Sequence, residues 1–512
     1  MPHLEIKHLT LQTKTGRKLI QDLTLTVGKK DKLAIIGEEG NGKSTLLKAI
    51  YCPLEIQDYV IQTGEVKPSG TIGYLEQFLN TKWFSQTVEE YFLKDFPTSE
   101  IQYEKYALFY ELKAIFSQID FPKKYIEKPT QISFLSGGEK VKLQIAKILW
   151  NHLDILLLDE PTNDLDLATL EWLEQFIQTL DKPIVYISHD ETLLERTANC
   201  ILHLEQIENK TKARFTYEQI GYLEYVKKRN LGIQKQNQIA AEEKRKQEKQ
   251  QEKWNQIYQS VAYKQENITR QNPSKGRLLA KKMKTVKAQQ KRLEKKELTK
   301  KAQVEEKVFA KFHNEETIYQ QKVILDWKDK TLKIGDTILK QNLSLQVIGT
   351  EKLGVIGKNG SGKTTLLQQV YQELKQRKEL KVGYMPQDYA VLLEEQKTPI
   401  DFLRKKGGSG EETDIRTYLA SMKLIQKEVE SPIKELSGGQ RAKLLLLKLI
   451  LDKNNVLLLD EPTRNLSPLS NPVIRKLLKD FSGTIISVSH DRKYLEEVCD
   501  HLYDLDKQKR IS

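Results

Sequence analysis

One glycine loop, in one local context, is written twice in this chain. Gly37-Glu38-Glu39-Gly40-Asn41-Gly42-Lys43-Ser44-Thr45 follows the apolar run Leu33-Ala34-Ile35-Ile36 and precedes Leu46-Leu47-Lys48-Ala49-Ile50. Gly357-Lys358-Asn359-Gly360-Ser361-Gly362-Lys363-Thr364-Thr365 follows Leu353-Gly354-Val355-Ile356. Each reads as strand, glycine loop, helix. The glycines let backbone N–H groups converge on phosphates, Lys43 and Lys363 reach the β/γ oxygens, and Ser44 and Thr364 offer a hydroxyl to Mg²⁺.

Four further stations recur in the same order. Gln77 follows Gly73-Tyr74-Leu75-Glu76, and Gln387 follows Gly383-Tyr384-Met385-Pro386. Leu135-Ser136-Gly137-Gly138-Glu139 returns as Leu436-Ser437-Gly438-Gly439-Gln440, each ahead of a Lys/Leu-rich helical pattern. An apolar strand ends in acids at Leu156-Leu157-Leu158-Asp159-Glu160 and again at Leu457-Leu458-Leu459-Asp460-Glu461, and Ile187-Ser188-His189-Asp190 matches Val488-Ser489-His490-Asp491. Ser136 to Glu160 and Ser437 to Glu461 are both 24 residues; Glu160 to His189 and Glu461 to His490 are both 29. Equal offsets mark a duplicated domain. Lys43 to Gln77 is 34 residues against 24 for Lys363 to Gln387, and Gln77 to Ser136 is 59 against 50 for Gln387 to Ser437. Those intervals vary because surface subdomains tolerate insertion.

On these motifs the chain resembles the F subfamily of ATP-binding cassette proteins, which carry two cassettes on one polypeptide, lack transmembrane domains and act on ribosomes. The resemblance covers almost the whole chain. It implies an α/β fold of two P-loop cassettes, at 1–210 and 320–512, joined by a long α-helical hairpin at 211–319, and a Mg²⁺-dependent ATP hydrolase. In this family the cassettes close head to tail. One site is therefore expected to combine Gly37, Gly40, Gly42, Lys43, Ser44, Thr45, Gln77, Asp159, Glu160 and His189 with Ser437, Gly438 and Gly439. The other is expected to combine Gly357, Gly360, Gly362, Lys363, Thr364, Thr365, Gln387, Asp460, Glu461 and His490 with Ser136, Gly137 and Gly138. Ser44, Gln77 and Asp159, and likewise Thr364, Gln387 and Asp460, are the implied Mg²⁺ ligands, the aspartates largely through water. The resemblance assigns Glu160 and Glu461 to orienting and polarising the attacking water, and His189 and His490 to the γ-phosphate. Signature amides meet developing negative charge only when the halves close.

Three departures stand out. No aromatic able to stack on adenine occupies the upstream positions, which read Lys14-Thr15-Gly16-Arg17 and Lys333-Ile334-Gly335-Asp336. Glu38 and Glu39 put negative charge beside a polyphosphate, which is unfavourable unless they point outward. After the glutamate the first half reads Pro161-Thr162-Asn163-Asp164-Leu165-Asp166, the subfamily's common form, whereas the second reads Pro462-Thr463-Arg464-Asn465-Leu466-Ser467-Pro468-Leu469-Ser470. That variant makes the two interfaces chemically unequal, so different turnover rates are expected. With the long basic hairpin, it resembles the antibiotic-resistance branch.

Residues 241–300 hold 18 Lys/Arg and 7 Asp/Glu, a net of +11 in a chain whose total is +13. Helix faces carrying only solvent are normally balanced by acids at i,i+4, yet Lys275 to Arg292 contains no acid. Such density neutralises phosphates, so this stretch is expected to contact RNA. The segment from Tyr222 to Ala262 contains no Pro and only Gly232, and the segment from Arg277 to Phe312 contains neither. Leu279, Met283, Val286 and Leu293 form a narrow helical seam, and Asn272-Pro273-Ser274-Lys275-Gly276 reads as a turn. The spacing predicts an antiparallel hairpin with its tip at about 265–283, where Arg270, Lys275, Arg277, Lys281 and Lys282 are the candidates for phosphate contact.

No run approaches the roughly 18 apolar residues of a membrane span, the start Met1-Pro2-His3-Leu4-Glu5 has no secretory pattern, and Cys52, Cys200 and Cys499 lack zinc spacing. The cysteines are expected as buried small hydrophobes in a reducing, cytoplasmic protein. The resemblance implies ribosome protection. ATP-bound closure would dock a monomer at the tRNA exit site of the 70S ribosome, and the hairpin would press toward the peptidyl-transferase centre. There 23S rRNA or tRNA would shift so that an inhibitor leaves, and hydrolysis would release the factor. A housekeeping translation factor of the same subfamily shares this chemistry. A transporter's separate ATPase subunit would not need the basic hairpin, and chromosome-organising ATPases differ in helix placement or carry zinc cysteines.

Overall fold

The computed structural model describes residues 3–163, 165–207, 210–266, 273–294, 321–405 and 409–511. The chain divides into two compact units, Met1–Tyr222 with Glu305–Ser512, and Leu223–Val304.

Within the first unit the duplicated halves fold alike. The first half contains β1 (Leu4–Thr13), β2 (Lys18–Val27), β3 (Lys32–Gly37), β4 (Val60–Pro68), β5 (Ile72–Leu75), β6 (Ile155–Asp159), β7 (Ile184–Ile187), β8 (Cys200–Ile207) and β9 (Lys212–Glu218). Antiparallel β2-β1-β4 forms one sheet, and β5-β6-β7-β3-β8-β9 forms the other, parallel except for β9. The second half supplies β10 (Val323–Ile334), β11 (Thr337–Ile348), β12 (Lys352–Ile356), β13 (Val382–Met385), β14 (Val456–Asp460), β15 (Thr484–Val488), β16 (His501–Asp504) and β17 (Lys509–Ile511). β13-β14-β15-β12-β16-β17 repeats the strand order, beside the antiparallel pair β10–β11.

Central strands such as β3, β6 and β14 are buried throughout, which is why they read as unbroken apolar runs: both faces are covered. Alternation still operates, with Leu457 and Leu459 facing one core and Val456 and Leu458 the other. The order β6-β7-β3 brings three loops to the carboxyl edge of one parallel sheet: the glycine loop after β3, the acids closing β6, and Ser188-His189 after β7. Open parallel sheets bind ligands at that edge.

The second unit is helical, with Tyr222–Glu266 continuing from the first unit and Pro273–Glu294 following it. The Trp254 indole N–H donates to Val286 O at 2.7 Å, and Val261 and Val286 are buried. From that contact the chain runs on to Glu266 and returns from Pro273 over arms of nearly equal length, which antiparallel helices satisfy. Leu279 and Met283 of the expected seam are half-buried, while Arg277, Lys281 and Lys282 are exposed. The turn expected at 272–276 is not what 273–276 form: Pro273 is the first residue of the second helix, and Ser274, Lys275 and Gly276 lie in it. A proline's fixed φ and missing N–H suit a helix start. Arg270 and residues 295–312 of the expected second run lie outside the described residues. Of the cysteines only Cys200 is buried; Cys52 and Cys499 are part-buried, so the expectation of three buried thiols holds for one.

Candidate nucleotide sites

Gly37, Gly40 and Gly42 adopt φ of 149°, 75° and 87°, and Gly357, Gly360 and Gly362 adopt 153°, 77° and 99°. A Cβ on Gly37 would run into Leu204 O, so the loop passes that carbonyl only as glycine. Gly42 and Gly362 cap the Lys43–Tyr51 and Lys363–Leu374 helices without a side-chain hydrogen bond. The first-turn N–H groups are thereby left for an anion. Lys43 Nζ donates to Gly37 O (2.9 Å) and Glu38 O (3.1 Å), and Lys363 Nζ donates to Gly357 O and Lys358 O, both at 2.8 Å. Burial pulls both ammonium pKa values down, a cost that an arriving phosphate would relieve.

In the first half Ser44 Oγ donates to Asp159 Oδ1 at 2.9 Å. Glu160 accepts from Gln77 Nε2 (2.9 Å) and Asn163 Nδ2 (2.8 Å), and His189 Nε2 lies 3.2 Å from its Oε1. Burial opposes ionisation of Glu160, but His189, Asn163 and Lys43 together outweigh it and hold the carboxyl at about 2. The second half differs. Glu461 is met at longer range, by Ser489 Oγ (3.4 Å) and the His490 N–H (3.3 Å), with His490 Nε2 3.8 Å from its Oε1, and that oxygen is buried without a hydrogen bond among the described residues. Burial, with Asp460 adding to it, pushes Glu461 up to about 8, while burial and Lys363 bring His490 down to about 4. Both glutamates sit in the left-handed region, at φ 48° and 52°, a conformation that persists at functional turns when the surroundings impose it.

A cavity of about 520 Å³ opens at the second glycine loop. Gly360, Gly362, Lys363, Thr364, Thr365, Gln387, Asp460, Glu461 and His490 line it from one half, and Gly137, Asn163, Leu165 and His189 from the other. The volume falls in the range of small-molecule sites. Asp460 Oδ2, Glu461 Oε1 and His490 Nδ1 are buried without hydrogen bonds among the described residues. The orphaned Asp460 oxygen beside the Thr364 hydroxyl makes a hard-oxygen donor set that fits Mg²⁺. Ile334 and Leu339 also line the cavity, which puts aliphatic surface where no aromatic was found for the base.

The first glycine loop faces the second signature. Glu39 Oε2 accepts from the Gly439 N–H at 2.8 Å, and Glu38 Oε1 pairs with Lys423 Nζ at 2.9 Å. These acids do not point outward as charge repulsion suggested: they reach across to the other half. Burial disfavours the Glu38 anion, but Lys423, with Lys443 and Lys210, overrides it and holds the carboxyl at about 2. His189 Nδ1 approaches Leu466 O at 2.5 Å; a carbonyl only accepts, so the ring donates. Gly438 and Gly439 therefore stand opposite the Lys43 loop, and Gly137 opposite the Lys363 loop, in the head-to-tail pairing. Ser136 and Ser437 serve as helix caps, accepting from the N–H groups of Glu139 and Gln440 in capping boxes. The Ser-x-x-Glu/Gln spacing was a signal for that role. The head-to-tail expectation already set Gly439 against the Lys43 loop; what no motif announced is the particular partners, Glu39 for the Gly439 N–H and Leu466 O for His189.

The ABC transporter family model matches residues 20–163 and 340–464. Ribosome protection protein VmlR of Bacillus subtilis is 30% identical over 493 residues, spanning 94% of this chain and 82% of that one. ATP-binding protein Uup of Buchnera aphidicola subsp. Acyrthosiphon pisum is 28% identical over 511 residues, spanning 97% and 79%. A crystal structure of archaeal ribosomal stalk protein aP1 with the archaeal ribosome recycling factor aABCE1 matches in fold, with TM-score 0.59, 17% identity and coverage of 97% and 87%. No described helix is long and apolar enough to cross a membrane. The chain belongs to the ATP-binding cassette family, whose cassettes bind and hydrolyse ATP, and is a tandem-cassette member of F-subfamily type.

Proposed function

We propose that this protein is a cytoplasmic, Mg²⁺-dependent ATPase that binds the 70S ribosome and dislodges ribosome-targeting antibiotics, its cassettes spanning 1–210 and 320–512 and its hairpin linker 211–319. The observation that carries the reading is the acid-free basic stretch 275–292 of the second helix, in which Arg277, Lys281, Lys282, Lys284 and Lys287 are all exposed, a density suited to rRNA or tRNA phosphates. Likeness to a ribosome protection protein supports it.

ATP would lie between opposed halves, with Lys43 or Lys363 on its β/γ oxygens and the signature amides of the other half against the γ-phosphate. Mg²⁺, held by Ser44, Asp159 and Gln77 or by Thr364, Asp460 and Gln387, would neutralise phosphate charge. Glu160, ionised and held by three side chains, orients the attacking water; Glu461 has to lose a proton first, so the two sites turn over unequally. His189 and His490 would meet the γ-phosphate. Arg277, Lys281 and Lys282, with Lys275 and Arg270, would contact rRNA or tRNA.

In the test, the Glu160→Gln/Glu461→Gln chain with ATP is sedimented with 70S ribosomes over a salt series. Salt-sensitive retention is expected; no retention at low salt, with ATP still bound, overturns the reading. A second reading, a housekeeping translation factor of the same subfamily, is favoured by the nearly equal likeness to Uup. Deleting the gene distinguishes them: resistance predicts drug hypersensitivity with normal growth, and housekeeping predicts slow growth without drug.

A further inference from the structure

Away from the nucleotide sites, the two halves meet through ion pairs with an unusual symmetry. Arg475 Nη1 lies 2.5 Å from Glu191 Oε1, and Arg492 Nη1 lies 2.8 Å from Glu174 Oε2. The first pair is nearly dry, with side chains 3% and 5% exposed. Since Glu160 to His189 and Glu461 to His490 are equally long, positions in this region correspond one to one. Glu174 therefore corresponds to Arg475, and Glu191, two residues past His189, corresponds to Arg492. Each pair is the twofold image of the other with its charges exchanged.

We infer that this exchange is a pairing code: the first half closes on a surface bearing two arginines, the second on one bearing two glutamates, and like halves from two chains are driven apart. Two first halves joined in this geometry would set Glu174 against Glu191 twice over, and two second halves would set Arg475 against Arg492. Like charges facing one another out of water are strongly unfavourable. Local partners relieve this only in part. Arg196 pairs with Glu174 at 3.0 Å and Glu497 with Arg475 at 2.8 Å, each neutralising one member, and Arg492 also lies 3.3 Å from Asp190, whose counterpart Asp491 keeps an acid beside it when two second halves meet. Two first halves gain no such relief, since Asp190 then adds negative charge beside Glu191. Lys493, bonded to Glu195 and 3.7 Å from Glu191, adds positive charge to the second half alone.

The test uses two full-length chains, Glu174→Arg/Glu191→Arg, whose halves are both basic, and Arg475→Glu/Arg492→Glu, whose halves are both acidic. Each alone is expected to lose ATPase activity at least tenfold. Mixing them one to one reunites an unaltered first half with an unaltered second half across chains. The mixture is expected to recover several-fold activity and to sediment as a dimer, whereas the unaltered chain stays monomeric. A mixture no more active than the mean of its components, with no dimer, overturns the code. Should the reversed chains fail to fold by circular dichroism, a cycle of Glu191→Gln and Arg475→Gln decides. A double variant no worse than either single supports the pairing, and simple multiplication of the two losses overturns it.

Discussion

Glu160 and Glu461 share a motif, a strand end and a left-handed backbone, yet their carboxyls are held in opposite ways. Glu461 is raised from 4.5 to about 8, chiefly by burial. The folded state then binds more protons than the unfolded one between those values, and stability falls as pH rises through the window. Glu461→Gln is expected to raise the melting temperature of the nucleotide-free protein by several degrees at pH 8, with the difference vanishing near pH 5. Glu160 is lowered to about 2 against burial by His189, Asn163 and Lys43. Its contribution is present above about pH 4.5 and is lost as pH falls through about 2. Glu160→Gln should therefore lower the melting temperature at pH 7, and the loss should shrink on acidification. Thermal scans of both variants from pH 3 to 8 check the opposed signs, the Glu461 effect changing above about pH 4.5 and the Glu160 effect below it. The glutamates themselves were legible from the sequence because chemistry fixes their type and spacing. Their environments were not, because the donors that separate them, Gln77 and Asn163 against Ser489 and a backbone N–H, depend on loop geometry. A second residue-scale outcome concerns Gly37: alanine there would meet Leu204 O at φ 149°. Gly37→Ala should cost about 1–3 kcal/mol in denaturant unfolding.

The hairpin shows what an element's composition can and cannot tell. Absence of Pro and Gly announced two long helices, and their seam residues are buried or half-buried at Val261, Leu279, Met283 and Val286. The connection was misplaced because proline reads as a breaker when only its neighbours along the chain are considered. Here it opens a helix. The seam is thin, and the Trp254 indole bond to Val286 O is a polar anchor within it. Trp254→Phe keeps an aromatic ring, smaller than the indole, and removes the donor, which should cost at least about 1 kcal/mol. Amide exchange is expected to quicken around residues 254 and 286, while amides in the parallel sheets stay unchanged.

At the scale of the molecule, the two glycine loops meet the opposite half differently. The Lys43 side is spanned by Glu39 to Gly439, Glu38 to Lys423 and His189 to Leu466, whereas the Lys363 side holds a cavity. Nucleotide is expected to enter the Lys363 site first. In a titration with a fluorescent ATP analogue, Lys363→Ala should abolish the tighter phase and Lys43→Ala should spare it. The equal offsets made the duplication legible; the asymmetry was not, since it arises from substitutions scattered between the motifs. The crossed pairs Glu174–Arg492 and Glu191–Arg475 also bear on descent. An ancestral cassette that paired with its own copy had to present one surface to itself. Once a glutamate had become fixed at a position in one copy and an arginine at its counterpart, neither copy remained a substitute for the other. Reversion at any one of the four positions would now set like charges face to face, so the duplication is locked in against loss of either half.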